Sequence, residues 1–192
     1  MSHVHFITHP EVVINPAIPV PEWPLSPVGI ARMTLALEQR WMCDLGSVFS
    51  SAERKATDAA AVIAVRFRLS PVVVQELGEN DRSATGYLPK DAFEATADAF
   101  FAQPEESIRG WERAIDAQRR VLAAVEHVIA HTPEEGDIAI VSHGGVGALL
   151  LCHLKRVPIS RGEDQPGNGG GNVFVFERSS RRLLSDWRRI EG

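Results

Sequence analysis

Cysteine is nearly absent from this 192-residue chain, occurring twice, at Cys43 and Cys152, each inside an apolar pattern and without C-x-x-C spacing. That scarcity excludes a disulfide framework and a cysteine-based metal site, and predicts two buried free thiols. No stretch approaches the ~20 consecutive apolar residues that a bilayer span needs. The first residues lack both a basic n-region and a long apolar h-region, so the expected location is cytoplasmic. A basic excess is missing too. Lys and Arg number 20 against 25 Asp and Glu, a net charge of −5, which argues against a nucleic-acid surface and requires any anionic ligand to find a local positive pocket. There is no internal repeat and no low-complexity run.

What is present is an ordinary globular composition, 44% hydrophobic and 23% charged, long enough for one sizeable core. A single domain over residues 1–192 is expected. Strand-like and helix-like patterns alternate. Val4 to Thr8 is an apolar run closed by His9 and Pro10, followed by a proline-punctuated loop through Pro24. Ser26 and Pro27 form an N-cap and first-turn pair for a helix running to about Cys43. Val48 to Ser51 is a short strand, ERKATDAAAVIAVRF is helical, and PVVVQ is a third β-branched run. Residues 91–101 read as a helix, and a longer one, from about Ile115 to His131, carries apolar residues at helical spacing. IAIVS, continuous and apolar between polar turns, is the pattern of a strand buried on both faces of a parallel sheet. VGALLLCHL then reads as a helix, with VFVF and LLSDW as later strands.

Such alternation predicts an α/β sheet with its ligand site beyond the carboxyl ends of the strands. Two histidines stand at such ends. His9 closes the first strand and His143 the strand IAIVS, where a Ser-His-Gly-Gly turn feeds a helix N-terminus whose free N–H groups suit an anion.

With these pieces in place the chain resembles the histidine phosphatase superfamily, the phosphoglycerate-mutase-like phosphatases, over nearly its whole length. That family opens with a strand ending in Arg-His-Gly-Glu and an Asn a few residues on. In THPEVVIN, His9, Glu11 and Asn15 fit, whereas Thr8 and Pro10 depart. PLSPVG (Pro24 to Gly29) is similar to the Pro-Leu-Thr segment, and SAERKA (Ser51 to Ala56) to Ser-Pro-x-x-Arg-Ala, with Lys55 where the phosphate-binding arginine usually stands. Leu77-Gly78-Glu79 resembles the acid motif, and VSHGG matches the second histidine motif unchanged. Gly110 onward resembles the Gly-Glu-Ser helix start, with Arg120 as the helix arginine.

The resemblance implies a three-layer αβα sandwich with a mostly parallel central sheet, phosphoglycerate-mutase-like, and a phosphomonoesterase acting through a phosphohistidine on a small phosphorylated metabolite. His9 is then the nucleophile and Glu79 the acid and base. His143 stabilises charge, and Thr8, Asn15, Lys55 and the amides of Gly144 and Gly145 surround the phosphate. Arg54 competes with Lys55 for that role, and Glu76 and Asp81 compete with Glu79. The alternative is a catalytically weak or inactive member that binds a phosphorylated ligand or a protein partner, because Thr8 and Lys55 lack the bidentate guanidinium. A mutase is disfavoured, as the pocket motifs are poor in arginine. No cofactor is implied, and a homo-oligomer is compatible with the sequence.

Other patterns carry less. His127 and His131 lie at i and i+4, but Val128 stands where H-E-x-x-H needs glutamate. His3 and His5 alternate on the first strand and could join His9 around a metal, yet no convergent further ligand is evident, so no metal is assigned. PGNGGGN precedes a strand and is expected to be a mobile connection rather than a phosphate cradle. Ser142 is no nucleophile elbow, since residue 140 is Ile.

Overall fold

The computed structural model describes every residue except Met1 and Asn168. Six strands form one sheet in the order β3-β2-β4-β1-β5-β6, where β1 is His3–Thr8, β2 Leu45–Ser50, β3 Val72–Val73, β4 Asp137–Ser142, β5 Asn172–Glu177 and β6 Leu183–Arg189. The first four in that order run parallel, and β5 and β6 are antiparallel to their neighbours. Helices cover both faces. Pro27–Ala36 (α1) and Arg54–Phe67 (α2) pack on one, and Lys90–Ala102 (α3), Ala114–His131 (α4) and Gly144–Lys155 (α5) on the other.

The pleat of β1 divides its side chains between the two cores. Val4 and Phe6 join the cluster under α4 and α5, whereas Ile7 joins the one under α1 and α2, as the twofold period of a strand requires. β4 is buried along its whole length, the cost of a central parallel strand with helices on both sides.

Two expectations need adjustment. The helix from Ser26 has its predicted cap, with Ser26 Oγ accepting from Gly29 N at 3.0 Å, but it ends at Ala36 rather than near Cys43. Gln39 turns extended there, and a 3-10 turn at Arg40–Met42 leads into β2. That turn leaves Cys43 exposed, while Cys152 is buried as expected. Among the described residues no helix is long and apolar enough to cross a membrane.

The parallel register sets the site. Thr8 pairs with Ser142, so the residues that follow, His9 and His143, emerge side by side at the carboxyl edge. His9 N donates to Ser142 O at 3.1 Å and Ser51 N to Val141 O at 3.0 Å. Consecutive sheet positions β2, β4 and β1 therefore present Ser51, His143 and His9 in a row.

Candidate active site

The two rings lie 5.2 Å apart, centroid to centroid, inclined at 67°. His9 Nδ1 faces the carbonyl oxygen of Pro10 at 2.9 Å. A carbonyl only accepts, so this contact places the ring proton on Nδ1 and leaves the Nε2 lone pair free. Burial first, and then the neighbouring His143, pushes the His9 pKa down to about 3, so the imidazole is neutral. Burial also lowers the pKa of His143, so this ring starts as a neutral hydrogen-bonding group instead of a cation. Its Nε2 lies 2.7 Å from Ser51 Oγ and 3.3 Å from Glu53 Oε1. Its buried Nδ1 has no hydrogen-bond partner.

Glu79 reaches the same place from the loop after β3. Its Oε2 accepts from Gly145 N and its Oε1 from Val146 N, both at 3.0 Å. The free amides at the start of α5 thus hold a carboxylate, the charge sign favoured at a helix N-terminus. Gly145 N is consequently engaged with Glu79 rather than waiting for phosphate. Arg120 ties the loop down from α4: it bonds Glu112 at 2.7 Å and donates to the carbonyls of Glu76, Gly78 and Glu79.

The departures from the family pattern have partners of their own. Thr8 is fully buried, and its hydroxyl donates to Gln165 Oε1 at 2.7 Å and accepts from Asn172 N at 3.0 Å. It supports Gln165 and does not present its hydroxyl to a ligand. Lys55 is buried at the start of α2, bound to Glu53 Oε2 at 2.5 Å and to the Val20 carbonyl at 2.9 Å. Arg54 pairs with Asp58 on the exposed side. Asn15 is also outside the pocket lining: it is exposed and closes a local turn, its Oδ1 accepting from Ala17 N.

Three contributors escaped the sequence reading. Glu53 lies between His143 and Lys55; burial opposes its charge, but those two neighbours prevail and bring its pKa down to about 2. Arg82 lines the cavity beside Glu79, flanked by the rings of Phe93 and Trp111 at 5.2 and 5.6 Å. Gln165 lies against Gly144, where its Nε2 would be 2.2 Å from an added Cβ. The only signal for them was their neighbourhood, Glu53 being inside SAERKA and Arg82 three residues beyond Glu79. The glycine run, expected to be a connection, also touches the site. Gly171 N bonds the His9 carbonyl at 3.0 Å, and Gly170, with a φ of +72°, leaves 2.3 Å between that oxygen and a would-be Cβ. The segment is a wall of the site and holds His9 from behind; Asn168 is outside the described residues.

These groups open on a cavity of about 330 Å³ lined by His9, Glu79, Arg82, Gly144, Arg161 and Gln165 among others. A cavity of about 500 Å³ near Pro104 and His153 is larger but lies away from the histidine pair.

Solved structures share this architecture. A mycobacterial glucosyl-3-phosphoglycerate phosphatase, solved with inorganic phosphate, superposes with a TM-score of 0.81 at 20% identity, covering 100% of each chain. YhfR of Bacillus stearothermophilus gives 0.74 at 22% identity, over 96% of this chain and 95% of its own. A mycobacterial protein described as hydrolase 1 gives 0.75 at 20%, over 97% and 95%. No curated protein sequence matches the chain. The sequence profile described as Histidine phosphatase superfamily (branch 1) matches residues 6–186, and the chain belongs to that superfamily.

Proposed function

We propose that the chain is a phosphomonoesterase that forms a phosphohistidine on His9 and acts on a small phosphorylated metabolite. The observation that carries the reading is the Pro10 lock on His9 Nδ1 at 2.9 Å. It leaves a neutral Nε2 lone pair in a cavity that also holds a carboxyl group.

Attack by Nε2 on phosphorus forms the P–N bond and breaks the ester P–O bond. The departing alkoxide takes a proton from Glu79, which receives it on Oε2 from the bound phosphomonoester monoanion; that oxygen accepts a single amide hydrogen bond and so keeps room for it. Water then attacks the phosphohistidine, Glu79 takes the water's proton, and the P–N bond breaks to release phosphate. Arg82 is the guanidinium assigned to the phosphoryl oxygens in place of the residue before His9, since it lines the same cavity. Gln165 supplies a neutral hydrogen bond, and the partnerless His143 Nδ1 can donate one only once that ring takes up a proton, because its Nε2 already faces the Glu53 carboxylate. The phosphatase named among the similar folds, with its bound inorganic phosphate, supports the reaction class.

Rapid quenching during turnover of a phosphomonoester should trap a phosphohistidine that is stable in base and labile in acid, and His9→Ala should abolish it. Wild-type turnover in that variant would defeat the reading. One observation favours the non-catalytic alternative: Lys55 is already paired with Glu53 and Thr8 with Gln165. A wild type that binds inorganic phosphate by calorimetry yet hydrolyses no member of a phosphomonoester panel would establish it.

A further inference from the structure

At the opposite, amino-terminal edge of the sheet, His3 and His5 project from one face of β1 toward Asp137 on β4. We infer that His3, His5 and Asp137 form a binding site for a divalent transition-metal ion of the zinc class, separate from the His9 pocket.

The ligating atoms His3 Nδ1, His5 Nε2 and an Asp137 carboxylate oxygen all lie within 4.8 Å of one another. His5 Nε2 is 2.9 Å and His3 Nδ1 3.2 Å from Asp137 Oδ2. Metal bonds of about 2.0–2.1 Å in tetrahedral array put neighbouring ligand atoms roughly 3.3 Å apart, so each imidazole nitrogen already stands near the required spacing from the carboxylate. Two imidazoles and one carboxylate suit zinc and its neighbours rather than calcium or magnesium, which prefer all-oxygen sets.

The surroundings hold the donors in place. Asp137 Oδ1 accepts from His3 N at 2.8 Å, and Asp137 N donates to Asp44 O at 2.8 Å, which fixes the carboxylate and leaves Oδ2 between the rings. The His5 ring packs on Trp41, centroids 5.0 Å apart. His5 and Asp137 are largely buried, whereas the His3 side chain is 36% exposed, which gives an ion a path in and a fourth position for water. In the metal-free protein the His5 proton is on Nε2, against Asp137, because Nδ1 has no partner. On metal binding that proton moves to Nδ1, and Nε2 and Oδ2 turn their lone pairs to the ion. The missing acceptor at Nδ1 removes the outer-shell bond that usually strengthens such ligands, so the expected affinity is about 10- to 100-fold below that of a site that has one.

The test uses the full chain without a polyhistidine tag, titrated with Zn²⁺ by calorimetry and with Co²⁺ by visible absorption. The wild type should bind one equivalent and give the intense d–d bands of a four-coordinate cobalt site. His3→Ala, at a partly exposed strand end, should keep its circular dichroism and melting temperature yet bind at least about tenfold more weakly. Uptake should persist in the surface double variant His127→Ala/His131→Ala and in His9→Ala. Absent uptake by the wild type, unchanged affinity in His3→Ala, or loss of uptake in either control would overturn the assignment.

Discussion

Gly145→Ala isolates what Glu79 does. Gly145 lies in the first turn of α5, where alanine is intrinsically the better residue by up to about 1 kcal/mol. A Cβ there would stand 2.7 Å from Glu79 Oε1 and 3.1 Å from both Cδ and Oε2. The backbone has no reason to move, so the carboxylate must. Its displacement breaks the bonds from Gly145 N and Val146 N, both 3.0 Å. Hydrogen bonds to a charged group are worth about 1.5–3 kcal/mol each. Water can replace them at this partly open site, so with the helix gain deducted the net loss should be about 1–3 kcal/mol. For a chain of this size that lowers Tm by roughly 2–4 °C per kcal/mol. Catalysis should respond more selectively. Protonation of a leaving group contributes about 10²–10⁴-fold, and a misplaced acid should lose a good part of it. kcat/KM toward an alkyl phosphate should fall about 10- to 100-fold, while p-nitrophenyl phosphate, whose leaving group scarcely needs a proton, should change by less than about threefold. Equal slowing of both would assign Glu79 to phosphate positioning, and equal rates on both would remove it from the chemistry.

Acid should destabilise the fold through the site itself. His9 has a pKa of about 3 when folded against an ordinary 6.5, and His143 is lowered too, so the neutral rings stabilise fully above about pH 6.5 and that contribution drains as pH falls toward 3. Glu53, at about 2 against 4.5, works in the same direction below pH 4.5. Urea denaturation at pH 7, 6 and 5 should show stability falling by up to about 1.4 kcal/mol per pH unit for each histidine, and His9→Ala should flatten the slope. Glu53→Gln leaves the buried Lys55 without its carboxylate and should cost about 3–5 kcal/mol, with Glu53→Gln/Lys55→Met recovering most of it in the same denaturation assay. Thr8→Val, which cuts Gln165 and Asn172 from their hydroxyl partner, should cost about 1–3 kcal/mol. Arg82→Lys should raise KM for a phosphomonoester more than it lowers the melting temperature, because it keeps the charge and loses the fork.

How much of this was legible in the chain follows from how local each signal is. The strand VHFIT, the run IAIVS and the helix after His143 are consecutive residues with a single period, and they were read nearly to the residue. Parallel pairing of β1 with β4 then brings His9 and His143 together, since residues after paired strand ends share one edge. The end of α1 was overrun because Leu37 and Trp41 continue an apolar spacing that no glycine or proline interrupts until Gly46. Glu53 and Gln165 were not legible as site residues, since each owes its position to contacts with segments 26 to 157 residues away in sequence. Asn15 failed for the opposite reason. A short local turn satisfies its side chain with its own neighbour, Ala17, before any long-range pocket can claim it.

The substitutions of arginine can be judged by what surrounds them. A residue poorly accommodated at a departed position would be a buried polar group without a partner, costing about 1–3 kcal/mol whether or not the pocket is catalytic. Ser50 Oγ, Asn80 Nδ2 and His143 Nδ1 do lack one nearby, but none of these is a replaced position. Thr8 is joined to Gln165, Gln165 to Asn172, Lys55 to Glu53 and Val20, and Glu53 to His143 and Glu79. Each new residue came with matching acceptors or donors. The expected consequence is that Thr8→Arg does not restore a phosphate grip. Thr8 has no exposed surface, and a guanidinium there must expel Gln165, break its bond from Asn172 Nδ2 and strain a close-packed core, at about 1–3 kcal/mol for the overpacking alone. A kcat/KM raised tenfold or more in Thr8→Arg, with the melting temperature kept, would mean the Gln165 network is incidental and the threonine a simple loss. A fall in both would mean that the site was rebuilt around a neutral strand end, with its positive charge moved to Arg82.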